Sequence, residues 1–407
     1  MPENKITDIV LNDAKPFIIN NIQEQIRCLK DNEHCSVLLL SGPPGIGKSD
    51  IMEQIAKELN CGLNPQYLGT MLVEQFGMPL PTTDPNADFQ KWSKPDFYST
   101  NNLRVKLHYT NPSCKCEGSY SANYDDPPFV ILFMDDIHLA PKTIQTYFFQ
   151  LLTYRSIHNK KMPANFVMIG AGNRSLDRAG AQPFLAPITN RFYFLDVTAN
   201  ADDWIRNFAI PKHIRQDIIS FISLYPELLM SEPLESKAWA SPRSWTYFSQ
   251  EMNQMQKSRP LDISTMTTIG KGHIGIDYTT KFIEYVTLYM RWNAEQYFNG
   301  VPLPNLKNNS KIENYTLMSA LTAELQKNLR TNKWNLQDEE TKKQIKVIKS
   351  LFDDMIDLCP EIVPLGLRSL ILSESITTNE AKLYYELTTS NPKLLGALKE
   401  ILSTKTK

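Results

Sequence analysis

Ser36-Val37-Leu38-Leu39-Leu40-Ser41-Gly42-Pro43-Pro44-Gly45-Ile46-Gly47-Lys48-Ser49-Asp50 is the stretch that decides the fold. Its first six residues form an apolar run of strand length, the pattern of a strand buried on both faces. A glycine-rich turn follows, and residues 49–59 then carry a helical pattern. Residues 42–49 fit G-x-x-x-x-G-K-[ST] in full. Glycines allow the backbone to wrap close to an anion, so that successive amide N–H groups point at it. The helix behind presents its positive end to the same anion. Gly42, Pro43, Pro44, Gly45, Ile46, Gly47, Lys48, Ser49 and Asp50 are therefore candidate phosphate-binding residues. Lys48 is expected to reach the β- and γ-phosphates of a nucleotide, and the Ser49 hydroxyl to ligate Mg²⁺.

Outward from this loop the chain keeps alternating. Residues 129–134 (FVILFM) form a second buried strand, closed by Asp135 and Asp136. Residues 166–171 and 191–197 supply a third and a fourth. Residues 14–30 have apolar positions at helical spacing, at Phe17, Ile18, Ile22 and Ile26. Strands alternating with helices imply a parallel sheet between helices, an α/β P-loop nucleoside-triphosphatase core. Ligands of such sheets sit beyond the carboxyl ends of the strands, where Asp135 and Asp136 fall. Asp135 is the expected Mg²⁺ partner, and Asp136 the group that orients the attacking water. Residues 70–128 are long and polar for a connection, and indicate an inserted functional element. Beyond residue 198 the pattern is helical throughout, broken at Asn299-Gly300-Val301-Pro302 and again by Lys307-Asn308-Asn309-Ser310. The expected division is a core over 1–198, an all-α lid over 199–300 and a C-terminal helical region over 301–407.

Composition narrows the function classes. Lys and Arg number 43 against 44 Asp and Glu, a formal net charge of -1. Proteins that hold duplex nucleic acid by phosphate contacts usually carry a basic excess, so the balance disfavours that class. No apolar stretch approaches the ~20 residues of a spanning helix, and no leader pattern opens the chain. A cytoplasmic protein with no membrane partner is expected. The six cysteines are scattered, and only Cys114 and Cys116 lie close together. Without a second pair at zinc-site spacing, reduced thiols are the expected state.

The motifs taken in order resemble the AAA+ ATPases, and within them the MoxR-like branch with its helix-2 insert. Residues 42–49 match Walker A and 129–136 resemble Walker B, followed by Ile137-His138-Leu139-Ala140-Pro141. Ala171-Gly172-Asn173-Arg174 looks like the sensor-1 segment, with Asn173 as the sensor. Thr189-Asn190-Arg191-Phe192 resembles the segment carrying the arginine finger; Arg191 is the candidate, and Arg178 competes with it. Ser241-Pro242-Arg243-Ser244-Trp245 resembles sensor 2, with Arg243 as the sensor. Phe76-Gly77-Met78-Pro79 and Trp92-Ser93-Lys94-Pro95-Asp96-Phe97 look like the branch's insert, and residues 155–165 occupy the place of its β-hairpin. One departure stands out: the family usually has Glu at the catalytic Walker B position, where this chain has Asp136. A displacement of about 1 Å at a reacting centre can cost on the order of 10²-fold in rate.

The resemblance implies hydrolysis of ATP with Mg²⁺, with Lys48, Asp136, Asn173, Arg191 and Arg243 as the catalytic set. It also implies a homo-hexameric ring in which the finger of one subunit serves the next. The expected work is chaperone-like remodelling of a protein partner, with a separate von Willebrand A domain protein as one such partner. Two alternatives stay open. A nucleic-acid motor or McrB-like GTPase is kept alive by Arg155, Lys160 and Lys161 on the hairpin and by Lys91, Lys94, Arg104 and Lys106. A nucleotide-held scaffold with weak hydrolysis is favoured by Asp136 in place of Glu.

Overall fold

The computed structural model describes residues 8–31, 33–80, 91–100, 103–104, 129–174, 184, 186–232, 238–331, 335–370, 378–388 and 391–396. The chain divides into two compact units, Met1–Ala199 and Asn200–Lys407.

The first unit runs β1 (Ile9–Val10), α1 (Lys15–Asp31), β2 (Val37–Ser41), α2 (Lys48–Glu58), β3 (Gly62–Tyr67), β4 (Val130–Asp135), α3 (Lys142–Tyr154), β5 (Ser156–Ile157), β6 (Lys160–Lys161), β7 (Phe166–Gly172), α4 (Ala186–Thr189) and β8 (Phe192–Thr198). Six strands form one sheet in the order β1-β8-β2-β7-β4-β3. Every neighbouring pair is parallel. The four strands expected from apolar runs are all present. Two further strands are not legible as such. β1 has only two residues. β3 carries Pro65, which an edge strand tolerates because the position without an N–H can face away from the neighbouring strand.

The sheet's interior follows from its sequence. β4 and β7 are buried at every position. Val37, Leu39, Leu132, Met134 and Phe166 pack with Ile144, Phe148 and Leu151 of α3. Phe76 and Phe97 from the insert join the same core, with Phe76 edge-on to Phe97 at 5.4 Å and stacked on Tyr147 at 4.9 Å. The described residues of 70–104 are therefore anchored to the core by aromatic contacts. Residues 105–128 of the expected insert, with Cys114 and Cys116, lie outside the described residues, as does Arg178.

α1 differs from its apolar pattern. Phe17 faces outward and is exposed, while the buried stripe is Ile18, Asn21, Ile22, Gln25 and Cys28. The two amides in that stripe bind strand backbone. Asn21 donates to Ser36 O at 3.0 Å and accepts from Leu38 N at 3.1 Å. Gln25 donates to Met168 O at 2.6 Å and accepts from Met168 N at 2.8 Å. Buried backbone groups must find partners, and here side chains complete the ladder at the strand starts.

The second unit is helical: α5 (Ala201–Trp204), α6 (Gln216–Leu224), α7 (Pro242–Ser258), α8 (Ile263–His273), α9 (Ile276–Tyr289), α10 (Ala294–Phe298), α11 (Lys311–Thr331), α12 (Glu339–Leu358), α13 (Val363–Ser369) and α14 (Thr378–Thr388). Its helix starts are capped by side chains: Asp262 accepts from Thr265 N at 2.7 Å and Asp338 from Thr341 N at 3.0 Å. Phe221, Trp245, Phe248 and Phe282 form an aromatic centre with ring separations of 5.3–6.0 Å. The expected division near residue 300 falls between α10 and α11. Across it, Tyr315 of α11 donates to Ser220 O of α6 at 2.9 Å. No described helix is long and apolar enough to cross a membrane.

Candidate functional site

The loop after β2 is shaped by close approach. A Cβ at Gly42 would stand 2.4 Å from Val197 O of the neighbouring strand, so no larger residue fits without moving backbone. Gly42 N donates to Gly172 O at 3.2 Å, tying the loop to β7 on its other side. Gly47, at φ 104°, turns the chain into α2 through a conformation that a side chain would strain. Lys48 and Ser49 thereby open α2 at the carboxyl end of the sheet.

Three strand ends converge on these two residues. Lys48 is buried, and its Nζ donates to Gly42 O at 2.6 Å, to Pro43 O at 2.8 Å and to Asn173 Oδ1 at 2.9 Å. Asn173 follows the end of β7, whose Gly172 is in register with Ser41. Ser49 Oγ donates to Asp135 Oδ2 at 2.6 Å. Asp135 is the last residue of β4 and is buried; burial, opposed by the Ser49 hydrogen bond, raises its carboxyl above the usual range. Asp136 lies outside the strand, at φ 51° and ψ 39°, and its N–H donates to Asp135 Oδ1 at 3.0 Å. The strand thus takes in Asp135, one residue past the apolar run 129–134, and Asp136 lies beyond it. The chain turns there through a left-handed conformation that a non-glycine residue adopts at some cost.

Arg191 sits elsewhere. It precedes β8 and is exposed, and its carbonyl accepts from Val37 N at 3.1 Å. Val37 opens β2, whereas the phosphate loop follows that strand's far end. Five residues at ~3.3 Å each put roughly 15 Å of strand between the two. Arg191 is therefore remote from Lys48 of its own chain. Arg243 belongs to the second unit, where it is exposed in the first turn of α7. Ser241 caps that helix, accepting from Ser244 N at 3.2 Å, and Pro242 occupies its first position. Residues 155–165 include the antiparallel pair β5–β6, as expected. Trp92 stacks on His158 of that hairpin at 3.7 Å and 9°, joining insert to hairpin.

Residues 38–192 match the family described as ATPase family associated with various cellular activities (AAA). This segment is an AAA ATPase family domain. The match spans β2 to the start of β8, and so takes in Lys48, Asp135, Asn173 and Arg191 of the AAA domain. No curated protein matches the chain. Among solved structures the chain is similar to the Holliday junction branch migration motor RuvB of Thermotoga maritima. The identity is 16% and the TM-score 0.31, over 72% of this chain and 79% of that one. It is also similar to NtrX from Brucella abortus, at 16% identity and TM-score 0.29, over 85% of this chain and 69% of that one.

The donor set beside the loop suits Mg²⁺. That ion takes hard oxygen ligands, keeps several waters and is usually held by one or two protein oxygens together with phosphate. Ser49 Oγ and Asp135 Oδ2 lie within 2.6 Å of each other, beside the lysine of the loop. These two residues would hold it. When bound, it would neutralise charge on the phosphates. Among the described residues no cluster of three His, Cys, Asp or Glu side chains forms a metal cage.

One residue of the AAA domain site escaped the sequence reading. His138, three residues past Asp135, is 1% exposed. Its Nδ1 accepts from Asn173 N at 3.0 Å, and its Nε2 lies 3.1 Å from Asn173 Nδ2. Only its place directly after the Walker B strand could have marked it, and nothing in that position fixes a partner.

Proposed function

We propose that the chain is a Mg²⁺-dependent ATPase whose site is completed by a second copy of itself. The observation that carries this reading is the convergence of Lys48, Ser49, Asp135 and Asn173 at the carboxyl end of the sheet. In the proposed reaction Lys48 leaves its loop carbonyls for the β- and γ-phosphates. Ser49 and Asp135 hold the metal. Asp136, set by its left-handed turn beside Asp135, orients the attacking water. Asn173 positions the γ-phosphate or that water. Phosphoryl transfer asks little of the protein beyond such positioning and charge stabilisation.

Arg191 supports the intermolecular part of the proposal. It is exposed, and it stands at the wrong end of β2 to serve its own loop. A cation that completes the neighbour's site requires a head-to-tail contact, which closes into a ring; a hexamer is the size proposed. Arg243 is proposed as the sensor-2 arginine. The proposed work is remodelling of a protein partner in the cytoplasm, and the near-neutral chain charge favours protein over duplex nucleic acid. A von Willebrand A domain partner rests on the resemblance of the sequence motifs alone.

A second reading, a nucleic-acid motor, has one observation in its favour. The hairpin bears Lys160 and Lys161 next to the stacked pair Trp92 and His158. Trp92 and His158 are half-buried, and lysines beside partly accessible rings suit phosphate and base contacts. Titration of fluorescent single- and double-stranded DNA at two salt concentrations separates the readings. Protein remodelling predicts no saturable binding; a steep loss of affinity with salt would favour the motor.

A further inference from the structure

The helical unit holds a cavity of its own, walled by the start of α6, the end of α9 and α11. Its volume is about 530 Å³, within the ~300–1,000 Å³ of small-molecule sites. Every residue on the wall belongs to the unit Asn200–Lys407, so none comes from the phosphate loop. Part of the wall is apolar. Ile214, Ile219 and Ala320 are buried aliphatic residues on it. Trp292 lines it too, half-buried, and its indole N–H donates to Thr316 Oγ1 at 2.9 Å. The ring therefore offers the cavity its apolar surface.

The polar groups left without partners on this wall are donors. Gln216 Nε2 is buried and has no hydrogen-bond partner among the described residues. The Tyr289 hydroxyl has none either. Burial pushes that hydroxyl above its ordinary value, so it keeps its proton at neutral pH. Arg330 forms no ion pair among the described residues; burial holds its guanidinium below the ordinary value, and no carboxylate opposes this. It is also exposed, which puts it at the cavity's open side. The other charges are already answered. Arg215 donates to Asp217 Oδ2 at 2.7 Å and to Gln256 Oε1 at 2.6 Å. Lys327 pairs with Glu324 at 2.8 Å. Glu295, the remaining carboxylate on the wall, is exposed to water. Buried donors without acceptors are costly, and an acceptor-rich ligand relieves that cost.

We propose that this cavity binds a small organic anion with an apolar body. The body lies against Ile214, Ile219, Ala320 and Trp292. Arg330 takes the anionic head, which is a carboxylate, sulfonate or phosphate monoester. The Tyr289 hydroxyl and the Gln216 amide donate to the ligand's other acceptors. The site stands apart from the ATPase reading and does not depend on it.

Anilinonaphthalene sulfonate is a probe of this chemistry, and phenylnaphthylamine is its uncharged counterpart. Each is titrated by fluorescence into the full chain in excess Mg²⁺-ADP, which keeps it out of the phosphate loop. We expect the sulfonate to saturate a single site. Arg330→Gln should weaken it about tenfold or more, and Tyr289→Phe about threefold or more. The uncharged probe, held by the apolar wall alone, should bind more weakly and change less than about twofold in Arg330→Gln. Ala323→Phe, on the α11 wall, fills the cavity and should abolish binding of both. Thermal unfolding of each variant controls for folding; if Ala323→Phe does not fold, the two probes on Arg330→Gln decide alone. No saturable binding of the sulfonate, wild-type affinity in Arg330→Gln, or equal losses for both probes in that variant would overturn the proposal.

Discussion

Ser49 Oγ donates to Asp135 Oδ2 at 2.6 Å, joining the first turn of α2 to the last residue of β4 across β7. This single bond brings the two proposed metal ligands together, although 86 residues separate them in the chain. Asp135→Asn keeps the shape but removes the charge. ATP hydrolysis by this variant is expected to fall by about 10²-fold or more, and raising Mg²⁺ should not restore it. Isothermal titration with and without Mg²⁺ checks the cause. The variant should lose the Mg²⁺-dependent part of nucleotide binding and retain the rest. An undiminished Mg²⁺ effect would remove Asp135 from the metal site.

Gly42 is squeezed between two strands. A Cβ placed there meets Val197 O at 2.4 Å and the Val197 side chain at 2.9 Å. Backbone oxygen does not give way as a flexible side-chain tip does, so Gly42→Ala must displace the loop. Overpacking of this kind costs about 1–3 kcal/mol. We expect a lower melting temperature and nucleotide binding weakened by at least tenfold, measured by fluorescence of a labelled nucleotide. Binding at wild-type strength would show that the loop has room.

Gln25 closes both backbone groups of Met168. Gln25→Leu fits an apolar side chain into the site but leaves a buried N–H and C=O without partners. Each such group costs about 1–3 kcal/mol, so a loss of about 2–6 kcal/mol in unfolding free energy is expected for the two. Urea denaturation measures it, and amide exchange at Met168 should accelerate more than at the centre of β4.

The Cys61 thiol is buried, and burial pushes it up to about 12 from an ordinary value of 9.0. The thiolate is the form that burial penalises. The folded value is therefore above the unfolded one. The associated stability is complete below about pH 9 and is lost as pH rises toward 12. Alkylation with iodoacetamide at pH 8.5, read by peptide mass spectrometry, should leave Cys61 unmodified in native protein and modify it in urea. Rapid native labelling would contradict its burial.

Much of this arrangement was legible in the sequence because it rests on local patterns. β2, β4 and β7 are nearly continuous apolar runs, as strands covered on both faces demand, and β8 opens on the apolar run Phe192-Tyr193-Phe194-Leu195. The turn from Gly42 to Ser49 carries its own chemistry in its glycines and lysine. Elements whose reason lies elsewhere in the chain were not legible. Gly62-Leu63-Asn64-Pro65-Gln66-Tyr67 has turn composition and becomes β3 only because β4 lies alongside it. Asn21 and Gln25 look like the polar face of α1, yet they are buried against strand starts. Phe17, which looks like core, is exposed. His138 has no local signal, and its contact with Asn173 follows only from the return of β7 beside β4. The register of β8 on β2 places Arg191 at the far end of the sheet, a long-range pairing that no residue pattern encodes.

The central claim is that Lys48 and Arg191 serve one site from two chains. The measurement that tests it most directly is Mg²⁺-ATP hydrolysis per subunit across a wide range of protein concentration, for wild type, Lys48→Ala, Arg191→Ala and a mixture of the two variants. The account predicts specific activity that rises with concentration, loss of about 10²-fold or more in either variant, and partial recovery in the mixture. Recovery is expected because an intact Lys48 on one chain then meets an intact Arg191 on the next. Activity independent of concentration, with Arg191→Ala as active as wild type, would contradict it.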